Sequence, residues 1–393
     1  MTSAHETELR ETIEALAATE RAACSPGERW AAEWIAARLR DLGCDAQVEE
    51  ELSFPSYAGP MAAMGALGML GGLLALGGRR KLGGVAAAVM AAAVADDASN
   101  GRRWVRRLIM RQRPTWNVVA TAGDASAARA LVVMAHHDAA PTGFIFDPAP
   151  QRRLWERFPR LVERFDTSFP LWWLGIGPAL GVVAGAILER RRLIRASLGL
   201  STFALACMLD VARGRVVPGA NDNLSGVAGL VALAAELRER PIAGLRVVLV
   251  SCGAEETLQG GVYGFAASHF PSLAPDRTWF VNLETVGSTH LALLEGEGPV
   301  VMEYYEPRFK DLVAEEATRA GLELRRGLRS RASTDSVIPH RAGYPIATLI
   351  SLTDWKALAN YHWPTDTPEN VDYATVARAV RLTERVARRL AVG

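Results

Sequence analysis

Residues 128–138, ARALVVMAHHD, decide the fold. An unbroken apolar run that ends in three polar residues reads as a strand buried on both faces, with its chemistry at the carboxyl end. The pattern recurs. Residues 244–256 (GLRVVLVSCGAEE) and 277–287 (RTWFVNLETVG) are strands running into polar residues, and 344–352 (YPIATLISL) is another strand. Residues 226–240 (GVAGLVALAAELRER) have helical composition and length, and 373–392 form an amphipathic C-terminal helix. This alternation predicts an α/β fold, a three-layer sandwich around a central, mostly parallel mixed sheet. In such sheets the functional groups gather beyond the carboxyl ends of the strands.

Working outward, the N-terminal residues 1–23 are acidic and amphipathic, with no basic segment leading into an apolar one, so a secretory signal peptide is not expected. Helical spacing continues through 31–43, where Gly43 reads as a C-cap, and 45–54 (DAQVEEELSF) alternate as a strand. Two apolar insertions interrupt the pattern, over 56–113 and 143–215. Residues 61–78 carry no charge; after Arg79, Arg80 and Lys81 the apolar run resumes at 82–95. Residues 170–188, then Glu189 and the basic run through Arg195, then 196–209, repeat the design. A membrane-spanning helix needs roughly 20 mainly apolar residues. The first member of each pair is long enough and the second is short. Gly and Ala abundance suits close packing in lipid, and Trp172 and Trp173 suit an interface. The sequence thus predicts one α/β domain over 1–393 carrying two apolar helical hairpins in a bilayer. A buried hairpin of a soluble protein is the alternative. Arginines flanking the hairpins point to a cytoplasmic catalytic side, turn arginines to the opposite one; the reading leans to the cytoplasm.

With 44 Lys+Arg against 43 Asp+Glu, the formal net charge is +1, which gives no footprint for nucleic acid. The four cysteines, Cys24, Cys44, Cys207 and Cys252, form no CxxC pair, so neither a disulfide framework nor a thiolate zinc site is expected. Five polar clusters carry the chemistry: His136-His137-Asp138, residues 218–223 (PGANDN), Glu255-Glu256, Asn282-Leu283-Glu284 and Tyr361-His362. Imidazole and carboxylate without thiolate suit hydrolytic zinc sites with an open position. Two metals at close range need a bridging carboxylate, which Asp222 in its Gly- and Asn-rich turn supplies. One neighbouring carboxylate must stay free to move protons, and Glu255 and Glu256 divide those roles.

In their order, AHHD, PGANDNLSG, GAEETLQGG, NLETVG and NYHWPTDTPEN resemble the motifs of the co-catalytic dizinc aminopeptidases, the family that includes bacterial leucyl aminopeptidases, aminopeptidase Y and glutamate carboxypeptidase. The motifs span 136–370. The resemblance implies the zinc exopeptidase fold, two Zn2+, a peptide substrate and exopeptidase activity, most simply aminopeptidase action. It implies that His136 and Glu284 bind one zinc, Glu256 and His362 the other, and Asp222 both. Glu255 becomes the general base, Asp138 the acceptor of the other ring N–H of His136, and Tyr361 a donor to the oxyanion. A cis peptide after Asp222 is also implied. Glu284 departs from the family's commoner aspartate, and the insertions are a second departure; the later one emerges beside the site, where it would restrict substrate access or set the site near the bilayer.

Each residue also has a plainer reading. His137 points to the far side of its strand. Asp222 alone suits an N-cap, and Tyr361 a packed aromatic. Asp335 and Asp366 read as cap or turn residues; His269, His290 and His340 lie outside the motifs. Two other functions stay open: a glutaminyl-peptide cyclotransferase-like enzyme, which the resemblance associates with a single zinc, and a non-catalytic membrane protein on a peptidase fold. Oligomeric state, terminal-residue preference and the amino- or carboxypeptidase choice are not legible.

Overall fold

The computed structural model describes residues 3–392. Nine strands make one sheet: β1 (Asp45–Ser53), β2 (Arg113–Gly123), β3 (Ala130–His136), β4 (Arg246–Cys252), β5 (Thr278–Leu283), β6 (His290–Glu297), β7 (Glu303–Tyr304), β8 (Arg325–Ser330) and β9 (Ile346–Leu352). Their order is β1-β2-β4-β3-β5-β9-β6-β7, with β8 also on β6. The four central strands β4, β3, β5 and β9 run parallel. Antiparallel β1–β2 and β2–β4 lie on one side, and antiparallel β9–β6 and β6–β7 on the other. The sheet is therefore mixed, with its parallel part at the centre, where strands covered on both faces need apolar residues at every position. β3 alternates its side chains between the layers. Leu131, Val133 and Ala135 enter one core; Ala130, Val132 and Met134 enter the other.

The helices are α1 (Ser3–Ala17), α2 (Pro26–Asp41), α3 (Ala58–Leu76), α4 (Arg80–Ala98), α5 (Trp104–Ile109), α6 (Ala149–Arg157), α7 (Pro159–Val162), α8 (Trp173–Ile187), α9 (Arg191–Val211), α10 (Leu224–Glu239), α11 (Gly260–His269), α12 (Pro307–Arg319), α13 (Val337–Arg341) and α14 (Tyr373–Val392). The N-terminal helical pattern breaks in two. Ser25 accepts from the Glu28 N–H as N-cap of α2, and Pro26 starts it. Gly43, at φ +86, ends α2 with its N–H on Arg40 O and the Cys44 N–H on Leu39 O. The central helix α10 is buried from Leu224 to Leu237 because it lies between the sheet and α1 and α14. Gly226 permits this approach; a Cβ there would meet Leu283 O at 2.3 Å.

The two apolar insertions come together. α3 packs on α4, α4 on α8, α8 on α9 and α9 back on α3, an up-down four-helix bundle. Close approach rests on small residues: a Cβ on Gly83 would meet Gly71 O at 2.3 Å. The far turns join through Arg80 and Glu189 at 2.6 Å. The expectation that each pair has a long first and a short second helix holds in length for neither pair, and the later pair reverses it. α3 and α4 have 19 residues each, whereas α8 has 15 and α9 has 21, because the basic residues Arg191–Arg195 continue the helix rather than forming a turn. α3 and α9 are long and apolar enough to cross a membrane. At about 1.5 Å per residue, 19 residues span about 28 Å, close to a bilayer's hydrocarbon core. The near end of the bundle packs Tyr57, Met61, Ile176 and Val211 around Leu258, two residues past Glu256.

Candidate active site

Strand register brings the polar ends level. His136 lies opposite Cys252, three residues before Glu255, and Met134 opposite Asn282, two before Glu284. His136 Nε2 comes to 3.4 Å from Asp222 Oδ1 and 3.4 Å from Glu284 Oε1. His362 Nε2 comes to 3.3 Å from Asp222 Oδ2 and 3.1 Å from Glu256 Oε2. One carboxylate is thus shared between two imidazoles, an oxygen to each. All five residues are buried, from His136 at 1% exposed to Glu256 and Glu284 at 8%. Glu255 sits beside them, Oε2 at 3.9 Å from His136 Nε2.

The turns are held by buried polar groups. Asp366, read from sequence as a cap or turn residue, accepts the N–H groups of Asn221 and Asp222 at 2.7 and 3.1 Å. The Asp222–Asn223 peptide is cis. Asn223 then ties this turn to the next strand end: its amide donates to Leu283 O at 2.8 Å and its carbonyl accepts from the Thr285 N–H at 2.9 Å. Asp138 touches more than the His136 ring. Its carboxylate accepts the N–H groups of Glu255 and Glu256, each at 3.0 Å, while His136 Nδ1 faces the Asp138 backbone carbonyl at 3.2 Å and carboxylate Oδ1 at 3.5 Å. Asp138 therefore fixes the Glu255–Glu256 turn as well as the imidazole. His137 turns away and meets Ser251 Oγ at 2.9 Å. Tyr361 stacks on His362 with centroids 3.8 Å apart, and Phe146 meets the His362 ring edge-on at 4.5 Å. His269 and His290 pair instead with Glu49 and Asp354, and His340 packs against Tyr305. Asp335 is buried with neither carboxylate oxygen hydrogen-bonded among the described residues.

Three contributors escaped the sequence reading. Arg21 sits fully buried and donates to His137 O, Leu16 O, Thr19 O and Pro218 O, linking the HHD and GANDN turns. Burial lowers its pKa to about 10, which leaves it a cation. Glu28 accepts from the Ala254 N–H at 2.7 Å, the Cys24 N–H at 3.0 Å and Thr115 Oγ1 at 2.9 Å, anchoring the turn before Glu255. Gln259 donates to Glu255 Oε1 at 2.7 Å. Of these only Gln259 carried a signal, its place within GAEETLQGG; Arg21 and Glu28 lie on N-terminal elements far from any motif.

Electrostatically the site is short of positive charge. Burial raises Glu255 well above the usual carboxylate range and Glu256 to about 7. Burial alone would depress both histidines, but the surrounding carboxylates prevail, Glu284 and Glu255 foremost at His136 and Glu256 at His362, which rises to about 10. Burial opposes ionisation of Asp222 too, yet its two histidine partners hold it well below the usual range. His136 Nε2, Asp222 Oδ2, Glu256 Oε1 and both ring nitrogens of His362 have no well-aligned hydrogen-bond partner among the described residues. Orphaned donor atoms are expensive in a protein interior unless something else satisfies them. His136, Asp222 and Glu284 present ligand atoms within 4.8 Å of one another, and so do Asp222, Glu256 and His362. Two buried His/carboxylate clusters without thiolate suit zinc in number and type of donor.

No curated protein sequence matches the chain. Among solved structures, a zinc aminopeptidase from Bacillus subtilis is 14% identical with TM-score 0.55, covering 98% of this chain and 94% of that one. A Zn-dependent exopeptidase from Parabacteroides distasonis is 12% identical, with TM-score 0.56 over 98% and 97%. A Tannerella forsythia glutaminyl cyclase is 15% identical, with TM-score 0.56 over 98% of each chain. These likenesses establish the zinc exopeptidase fold. The family model described as Peptidase family M28 matches residues 201–387, the segment holding Asp222, Glu255, Glu256, Glu284 and His362. Over that segment the chain is similar to peptidase family M28.

Proposed function

We propose that this protein is a zinc-dependent exopeptidase, most simply an aminopeptidase, working from two zinc ions and held in a bilayer by its four-helix bundle. The observation that carries the reading is the Asp222 carboxylate divided between His136 and His362. His136 and Glu284 would hold one ion, Glu256 and His362 the other, with Asp222 common to both. Zinc at these atoms would polarise the scissile carbonyl and acidify a water. Glu255 takes the proton of the attacking water and returns it to the leaving amine. Its buried setting raises its pKa above the usual carboxylate range, which favours its holding a proton. Gln259 and the Asp138-held backbone keep its carboxylate aimed at the site. Tyr361 stays protonated, because burial and then Asp222, Glu256 and Glu255 push its pKa well up, and it donates to the developing oxyanion.

The bilayer part rests on surface composition. Leu67, Leu70 and Leu73 on α3, Val85 on α4, Ile187 on α8, and Leu200 and Phe203 on α9 all face outward, more apolar surface than a soluble protein usually leaves bare.

The experiment is product analysis on short peptides with free or acetylated N-termini, including one beginning with glutamine. Stepwise loss of N-terminal residues from free peptides alone is expected. Loss of ammonia from the glutaminyl peptide without peptide-bond cleavage would replace the peptidase reading by the cyclase one, which the Tannerella likeness keeps in view.

A further inference from the structure

The segment between β3 and the second hairpin, residues 144–169, straps the catalytic domain just where the bundle meets it. Its inner side is fastened. Phe146 packs on His362 and Tyr361. Further along, Lys356 Nζ donates to Glu163 O at 2.7 Å and Phe165 O at 2.9 Å, and the Trp155 ring lies 6.1 Å from that of Trp355. The Arg329 N–H donates to Asp166 O at 2.8 Å, and the Ser168 N–H to Arg329 O at 3.2 Å. Lys356 precedes Tyr361 and His362 by a few residues, so the strap grips the loop that carries one zinc-site histidine.

Its outer side is left bare, and it is both basic and apolar. Phe158, Leu161 and Phe165 are 50%, 45% and 52% exposed. Five arginines, 152, 153, 157, 160 and 164, accompany four acids, Asp147, Glu156, Glu163 and Asp166. Two of the acids are already taken, Glu156 by Arg152 at 3.0 Å and Asp166 by Arg329. Arg153, Arg157, Arg160 and Arg164 are exposed and make no ion pair among the described residues. Arg157, Phe158, Pro159, Arg160, Leu161 and Arg164 line one open basin. A few residues on come Trp172, packed at the near end of the bundle, and Trp173, where α8 begins, so the strap runs straight into the apolar bundle.

We propose that the strap, residues 149–169, docks on anionic phospholipid headgroups of the bilayer that holds the bundle. Guanidinium groups pair bidentately with phosphate. Phe and Leu side chains interleaved with arginine bury their rings and branches at the acyl boundary while the charges stay with the headgroups. Juxtamembrane arginines each add an increment of attraction to an anionic leaflet. A protein partner would leave the bundle's adjoining apolar wall still uncovered; a lipid surface covers both at once. The proposal rests on the bilayer reading of the bundle and not on the peptidase chemistry.

The test uses the full chain in nanodiscs of phosphatidylcholine alone or of an equal mixture with phosphatidylglycerol, read by backbone hydrogen exchange. Exchange over 152–165 slows at least about tenfold in the anionic discs relative to the neutral ones. Added salt reverses the slowing. The variant Arg153→Gln/Arg157→Gln/Arg160→Gln/Arg164→Gln loses it while keeping wild-type zinc content, which shows that it folds. The arginines of the far turns, 79–80 and 190–192, report at their own positions and do not confuse the reading. Equal exchange over 152–165 in the two lipids overturns the proposal. A chain that stays soluble and never enters discs overturns the bilayer reading instead; the same exchange measurement with vesicles of the same two compositions then decides the strap, and no protection there overturns it as well.

Discussion

At the scale of single residues, the members of the candidate site could be read because polar residues sit where apolar strands stop. His136, Glu255, Glu256 and Glu284 each follow a buried strand, and Asp222 opens a helix. The supports were not legible, because their contacts join residues distant in sequence. Glu28 meets Ala254 across 226 positions, and Arg21 meets Pro218 across 197. Two predictions belong here. Glu255→Gln lowers kcat by roughly 10²–10⁴-fold while zinc content is unchanged, since it removes proton transfer and no ligand. Steady-state kinetics beside metal analysis checks both halves. Glu28→Ala strips the acceptor from two buried N–H groups and one hydroxyl, costs about 1–3 kcal/mol in urea denaturation, and lowers kcat by loosening the Glu255 turn. A variant as stable and active as wild type would contradict the anchoring role.

At the scale of elements, the central strands and α10 and α14 could be read from their apolar runs, while the sheet's far edge could not. β7 is two residues long, and β8, RRGLRS, is half arginine and half-exposed, so neither has the alternation that marks a strand. What fastens that edge is electrostatic. Glu295 on β6 binds Lys310 of α12 at 2.5 Å and Arg326 of β8 at 3.0 Å. Burial opposes its ionisation, but the hydrogen bonds from Arg326 and Lys310 prevail and lower its pKa to about 2. A carboxyl depressed in the folded state adds stability that is complete above its unfolded pKa of roughly 4 and drains away as pH falls towards 2. The stability gap between wild type and Glu295→Gln therefore narrows between pH 6 and pH 3, which urea midpoints at the two values would reveal; an unchanged gap would contradict it. In the bundle, Gly83→Leu drives a side chain into the backbone of α3, where even a Cβ meets Gly71 O at 2.3 Å. The four helices separate, and the chain aggregates on extraction where wild type stays monodisperse by size-exclusion chromatography in detergent.

At the scale of the whole molecule, two hairpins far apart in sequence form one apolar bundle set against the ends of the parallel strands. That assembly could be read from sequence only as two separate insertions, since what joins them, the approach of Gly72 to Leu198 and of Gly84 to Ala186 and the Arg80–Glu189 pair at the far turns, is tertiary. Its consequence is that Leu258 and Phe146 connect the bundle base to the turns of the candidate site, so that bundle packing and site geometry are linked. The protein should remain in the membrane fraction through alkaline carbonate and leave it only with detergent; release by carbonate would return the bundle to a soluble core. The account's central claim is two zinc ions shared across Asp222 with Glu255 moving the proton. Metal analysis of detergent-purified wild type and Glu255→Ala, each assayed on aminoacyl-anilides, tests it most directly. The account predicts about two zinc per chain in both proteins and cleavage by wild type alone. One zinc per chain without peptidase activity, or none, would contradict it.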